Sequence, residues 1–250
     1  MEMNIYKIIL KTIYTTFESE LTKIYEKVNA IYPVTYKAFR DDIAVLEQQD
    51  CCRVVSTNIG TKGGKRCIVL KTEAGENLAL RFFDSILQER EAEMLLREHT
   101  SLEHGYFNKY CVDILREVGF EVKDRYEDNR FVTSLLSNNG NKLVCESDFH
   151  IEYNNKTYLF EGETGKCMKE NTHQKLDKEL NLIEDKKIAK TVFIICPSKR
   201  AVDKTQAEVN AWYSSKSSSV YNTIDVKILN ASMKENLITE AINCIKNGVL

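Results

Sequence analysis

Three acidic side chains, Asp148, Glu161 and Glu163, carry the clearest chemistry in this sequence, all within the stretch SDFHIEYNNKTYLFEGETGK. Glu161 and Glu163 are two positions apart in a β-rich run, so as strand residues they leave the same face of a sheet. Asp148 precedes Glu161 by 13 residues, and Asn154-Asn155 supplies a tight turn that folds it back toward its partner. Three carboxylates are therefore expected on one patch. Crowded carboxylates are costly unless protonated or neutralised, and a hard divalent ion, Mg²⁺ or Mn²⁺, is the usual neutraliser, held through carboxylate oxygens and waters. An ion so held generates hydroxide from water and stabilises the charge that builds up in phosphodiester cleavage. The ordinary alternative is a solvated acidic strand face. His150 shares the strand face of Asp148 and is a candidate for proton transfer, although a lone strand histidine is more often structural.

Other chemistries lack an anchor. GETGK at 162–166 looks like the end of a phosphate loop, but Cys167 stands where that motif needs Ser or Thr and the upstream glycine is misplaced. Neither GxSxG nor HExxH occurs. The eight cysteines are scattered without CxxC pairs, as expected of reduced thiols in a cytosolic protein.

The elements that must position the acidic residues follow from periodicity. A helix is expected over 101–118, with Glu103 in its first turn and Gly119 ending it. Strands fit 130–137, 142–153 and 156–163. Helices are expected near 169–187 and 201–213, with the apolar strand 191–196 between them, a strand at 224–229 and a last helix at 233–246. This order predicts an α/β fold, a mixed sheet flanked by helices.

Over residues 103–229 this pattern resembles the restriction-endonuclease-like superfamily known by its PD-(D/E)xK motif. The resemblance implies Asp148 as first metal ligand, Glu161 as second and Glu103 as an additional acidic ligand. It is inexact: no proline precedes Asp148, and Glu163 occupies the position of the family lysine. Some restriction enzymes carry glutamate there, and in other relatives a lysine from elsewhere fills the same space. Lys166 or Lys175 is the candidate here, to stabilise the attacking water or the developing negative charge.

The N-terminal third has a different character. Apolar residues at helical spacing predict helices over 5–13 and 21–28, and Thr35 caps a third whose buried face is Phe39, Ile43 and Leu46. Two β-rich runs, 51–57 and 66–72, flank a glycine-tipped segment, which predicts a hairpin. Three helices and a basic hairpin describe a winged helix, and TYKAFRDDIAVLEQQ with LKTEAGENLA resembles bacterial winged-helix domains in layout. In that arrangement Tyr36, Lys37 and Arg40 reach base edges, while Lys62, Lys65 and Arg66 neutralise phosphates of double-stranded DNA. The ordinary readings are a solvated helix face and a protein-docking module.

A chain of 250 residues with 43% hydrophobic content has the material for two cores. Its 35 basic and 37 acidic residues give a net charge of −2, so nucleic acid must be met by local patches. A winged-helix domain is expected over 1–90 and the nuclease-like domain over 91–250, joined by helix around 76–99 that could alternatively form a dimer. No run of 18 apolar residues occurs, so no membrane span is expected, and the localisation expected is cytoplasmic. The expected function is a Mg²⁺- or Mn²⁺-dependent DNA endonuclease or nickase, in restriction or mobile-element DNA processing. YLFEGETGK with HQKLDKEL is similar to the replication-relaxation type proteins of plasmids and conjugative elements. The alternative is a non-catalytic DNA-binding regulator or replication accessory protein with a decayed nuclease fold. A palindromic target would imply a two-fold homodimer.

Overall fold

The computed structural model describes residues 4–61, 63–99, 101–124, 134–136, 142–144, 147–165, 169–183, 188–217, 220 and 223–246. By contact the chain separates into two units, one of Met1–Asn58 with Lys65–Leu102, the other of Ile59–Gly64 with Glu103–Leu250.

In the first unit, α1 (Ile5–Thr15), α2 (Leu21–Ile31) and α3 (Tyr36–Gln48) precede an antiparallel pair, β1 (Arg53–Asn58) and β2 (Lys65–Leu70). Each helix starts where its sequence dictates. Asn4 accepts from the Lys7 amide at 3.0 Å, and Thr35 accepts from the Ala38 amide at 3.2 Å, satisfying amides that no helical carbonyl reaches. The apolar stripes meet in one core that includes Ile9, Ile13, Leu21, Ile24, Phe39 and Ile43.

The single helix expected around 76–99 is two, α4 (Glu73–Leu80) and α5 (Glu91–Glu98). The physical reason lies at Arg90, whose backbone amide donates to Glu93 Oε2 at 2.9 Å and so opens a new helix. The guanidinium of Arg90 is fully buried and donates to three backbone carbonyls, of Thr16 at 3.2 Å, Val69 at 3.0 Å and Glu18 at 2.5 Å. α5 groups with the first unit, whereas the sequence reading assigns it to the second half.

The second unit is α/β. α6 (Leu102–Glu117) ends at Gly119, whose φ of 83° suits the left-handed residue that follows a helix. A five-stranded mixed sheet follows, in the order β3 (Glu121–Asp124), β6 (Phe149–Tyr153), β7 (Lys156–Gly162), β8 (Ile188–Cys196), β9 (Asp225–Asn230). β3, β6 and β7 pair antiparallel; β7, β8 and β9 run parallel. Such parallel strands need crossovers, and here the crossovers carry α7 (Lys169–Leu182) and α8 (Lys199–Ser214), before α9 (Lys234–Ala241). The β6–β7 turn is Asn154-Asn155 with φ of 50° and 59°, the conformation of a two-residue hairpin loop.

Two details differ from expectation. β3 is an unforeseen edge strand, and the run expected over 142–153 divides into β5 (Lys142–Val144) and β6. β5 pairs with β4 (Ser134–Leu136) in a separate two-stranded sheet. Leu159, Leu176, Val192, Val209 and Trp212 centre the core between sheet and helices, while Phe149, Phe160 and Phe193 stack across β6, β7 and β8 at 5.0 and 4.7 Å.

Candidate active site in the second unit

Register brings the acidic residues together. Phe149 pairs with Phe160 across the β6–β7 hairpin, so one step further Asp148 falls opposite Glu161. Because strand side chains alternate, Phe160 joins the aromatic stack while Leu159 and Glu161 turn toward α7. Asp148, Glu161 and Glu163 are 3%, 6% and 8% exposed. The solvated acidic strand face is therefore excluded, and each carboxyl must find compensation inside the protein.

Asp148 finds it in β7 and α6. Its Oδ2 accepts from the Gly162 amide at 2.8 Å and lies 3.1 Å from His104 Nε2. That same Nε2 lies 2.9 Å from the Gly162 carbonyl oxygen. Both partners are acceptors, so Nε2 carries the proton and is shared between them. Burial opposes the charged imidazolium, but the Asp148 carboxylate outweighs it and the His104 pKa is raised. Close approach of α6 depends on Gly162: a β-carbon there would stand 1.8 Å from Asn108 Oδ1.

Glu161 finds compensation in α7, where Lys175 Nζ donates to its Oε2 at 2.6 Å. Burial first, and then the charge of Asp148, push the Glu161 carboxyl up against the pull of Lys175. Burial works against the ammonium too, yet Glu161, Asp148 and Glu163 hold its pKa above the usual lysine value. Glu163 accepts from the Gly165 amide at 3.0 Å. Where a divalent ion is expected from the sequence as neutraliser, the structure places an internal ammonium.

α7 adds a residue that sequence reasoning missed. Glu179 is 4% exposed, and its carboxyl shares a side-chain hydrogen bond with Glu161. Burial first, and then the charge of Glu161, push the pKa of its carboxyl well above the usual glutamate value. A pocket is lined by Glu161, Glu163, Thr172, Lys175 and Glu179, with Leu176 and Ile194 as its apolar walls. Thr172, Leu176, Glu179 and Ile183 form one buried stripe, in which a glutamate is anomalous.

The other expected site residues fall as follows. Glu103 is half-buried in the first turn of α6, but the α6 side chain that meets Asp148 is its neighbour His104. Lys166 and Lys62 lie outside the described residues. His150 is 1% exposed, and burial lowers its pKa to about 4, which leaves the imidazole neutral at physiological pH. In the first unit Tyr36, Lys37 and Arg40 are exposed on α3, with Tyr36 edge-on to Tyr25 at 5.1 Å. Lys65 is exposed, whereas Arg66 is half-buried with Nε 3.6 Å from Glu20 Oε2. Between the two strands Ile59 is fully buried.

His104 and Asp148 belong to a group of ligand-type side chains able to hold a metal ion. Among the described residues no helix is long and apolar enough to cross a membrane. No protein family, curated protein or solved structure matches the chain.

Proposed function

We propose that this chain is a divalent-cation-dependent DNA endonuclease or nickase of the PD-(D/E)xK type, with a winged helix in its first unit that contacts duplex DNA. The observation that carries the reading is the junction of Asp148, Glu161 and Lys175 at the C-terminal end of β7, three buried or half-buried charges brought from three elements. A structural ion pair needs two groups, and Asp148 adds a second buried carboxylate to the same junction.

In this reading Asp148 and Glu161 hold Mg²⁺ or Mn²⁺. The bound ion supplies a Lewis acid for the scissile phosphate and lowers the pKa of an attacking water. Lys175, whose charge is secured by its acidic neighbours, stabilises negative charge on the attacking oxygen or the phosphoryl group, in place of the lysine that Glu163 displaces. His104 fixes Asp148 through its Nε2 proton. Tyr36, Lys37, Arg40 and Lys65 are exposed and serve as the DNA contacts of the first unit.

A second reading has its own support. Lys175 pairs directly with Glu161 and Glu163 stands at the position of the family lysine, as in a scaffold that has lost catalysis and serves a DNA-binding regulator. Supercoiled plasmid with Mg²⁺ or Mn²⁺ separates the two. The enzyme reading expects nicking or linearisation by the wild type and none by Asp148→Ala or Glu161→Ala. Intact plasmid in all three samples, with DNA binding retained, establishes the regulator instead.

A further inference from the structure

We propose that the turn between α2 and α3 is a docking surface for unpaired bases, so that the preferred ligand of the first unit is duplex DNA with a single-stranded extension. The proposal rests on the DNA-contact reading above and narrows it, from the edges of paired bases to the faces of unpaired ones.

Three observations carry it. First, Ile31, Tyr32 and Tyr36 are 58%, 46% and 39% exposed, and Pro33 between them is exposed as well. Single apolar side chains at a surface are ordinary, whereas large ones gathered on one turn mark a contact. Second, the turn is held from behind. The Val34 amide donates to Asn29 Oδ1 at 2.9 Å, and the Tyr25 hydroxyl donates to the Val34 carbonyl at 3.1 Å. The Tyr36 ring lies edge-on to Tyr25 and tilted against Phe39, so little freedom is left to lose on binding. Third, Lys37 and Arg40 are exposed on α3 beside Tyr36, and among the described residues neither forms an ion pair. Asp42 is drawn back to the Tyr6 hydroxyl and Glu47 to the Val54 amide at 2.6 Å, while Asp41 lies further round the helix from Tyr36 than Lys37 does.

These parts select the occupant. A major groove offers an aromatic ring little apolar surface beyond thymine methyl groups, so a continuous duplex leaves the turn wet. Unstacked bases expose their faces, and an aromatic ring with a cation alongside is a platform for them. Lys37 and Arg40 then meet phosphates of the same strand. A protein partner would cover the apolar side chains equally well, but the cores of such interfaces are depleted of charge, and two cations without acidic partners call for an anionic chain.

Fluorescence anisotropy of the full chain without divalent ions tests this, with a blunt duplex and the same duplex carrying a tail of about ten thymidines on one strand or the other. The wild type is expected to bind a tailed duplex about tenfold more tightly than the blunt one. Tyr32→Leu, which keeps apolar area and removes the ring face, is expected to bind the two alike, and Tyr32→Phe to keep the preference. Lys37→Ala combined with Arg40→Ala is expected to weaken the tailed complex and flatten its salt dependence. Equal binding of blunt and tailed duplex by the wild type, or a preference that survives Tyr32→Leu, would overturn the proposal and leave the duplex-contact reading standing. A wild type that binds neither probe removes that reading and this proposal together. Self-association in sedimentation velocity that Tyr32→Leu abolishes assigns the turn to a second copy of the chain, and overturns the proposal likewise.

Discussion

Lys175 Nζ and Glu161 Oε2 meet at 2.6 Å, so the helix that follows β7 returns its cation to the strand that carries the acid. Fourteen residues separate the two in sequence, and the contact depends on β7 placing Glu161 on the α7 side of the sheet. The pair gives the buried Glu161 carboxyl a charged partner inside the protein, and it makes Lys175 the pivot of the site.

Replacing Lys175 by Met leaves Glu161 buried without its partner. The expected cost is about 1–2 kcal/mol, below the usual figure for a broken buried pair because the lysine is partly solvated. The pH dependence has a definite sign. Burial already raises the Glu161 pKa above its ordinary 4.5, and loss of Lys175 raises it further, so the unfolded chain releases a proton that the folded one keeps. The deficit is largest at neutral pH and shrinks as pH falls toward 4.5. Urea midpoints of wild type and variant at pH 5 and pH 7 check this, and equal differences at the two pH values would refute it.

Gly162→Ala sets a β-carbon against Asn108, which is fully buried. Overpacking on that scale costs about 1–3 kcal/mol. Asn108→Ala in the same chain opens the space and recovers part of the loss, so a double-mutant cycle in urea should return coupling of the opposite sign. Simple additivity would show that α6 and β7 do not touch in this way.

His150 predicts a second pH effect, on stability. Its pKa falls from an ordinary 6.5 to about 4 on folding, chiefly through burial. The unfolded chain therefore binds the proton first as pH drops. The stability that the neutral imidazole contributes is complete above 6.5 and is lost between 6.5 and about 4. His150→Leu should be less sensitive than the wild type across that window; identical profiles would place the histidine in water.

In the first unit the corresponding weak point is Arg90. Its buried guanidinium holds the carbonyls of Thr16, Glu18 and Val69, and Arg90→Met strands all three acceptors. Several lost charge-assisted bonds amount to about 3–5 kcal/mol. Thermal denaturation reads this as a first-unit transition shifted strongly downward, and an unshifted transition contradicts the role.

Much of the positioning was legible in the residues. Alternation sets Glu161 and Glu163 on one face, Asn154-Asn155 marks the hairpin, Gly119 marks the end of α6, and the resemblance to the PD-(D/E)xK superfamily points to Lys175 beside Lys166. What failed to show has physical causes. β3 is four residues long, too short for alternation to stand above chance. A helix turns about 100° per residue, so His104 and its neighbour Glu103 differ by more than a quarter turn, and only the docked helix shows that His104 meets Asp148. Glu179 was hidden by composition, since α7 is dense in charge and burial alone singles out one glutamate among several. The break at Arg90 depended on contacts to residues more than twenty positions away.

The central claim, that Asp148 and Glu161 jointly hold a divalent ion, is most directly tested by a crystal soaked in Mn²⁺ and measured at the manganese absorption edge. The account predicts an anomalous peak within bonding reach of both carboxylates, with Lys175 drawn away from Glu161. A fully soaked crystal with no anomalous density at either carboxylate, and the Lys175–Glu161 contact unbroken, would contradict it.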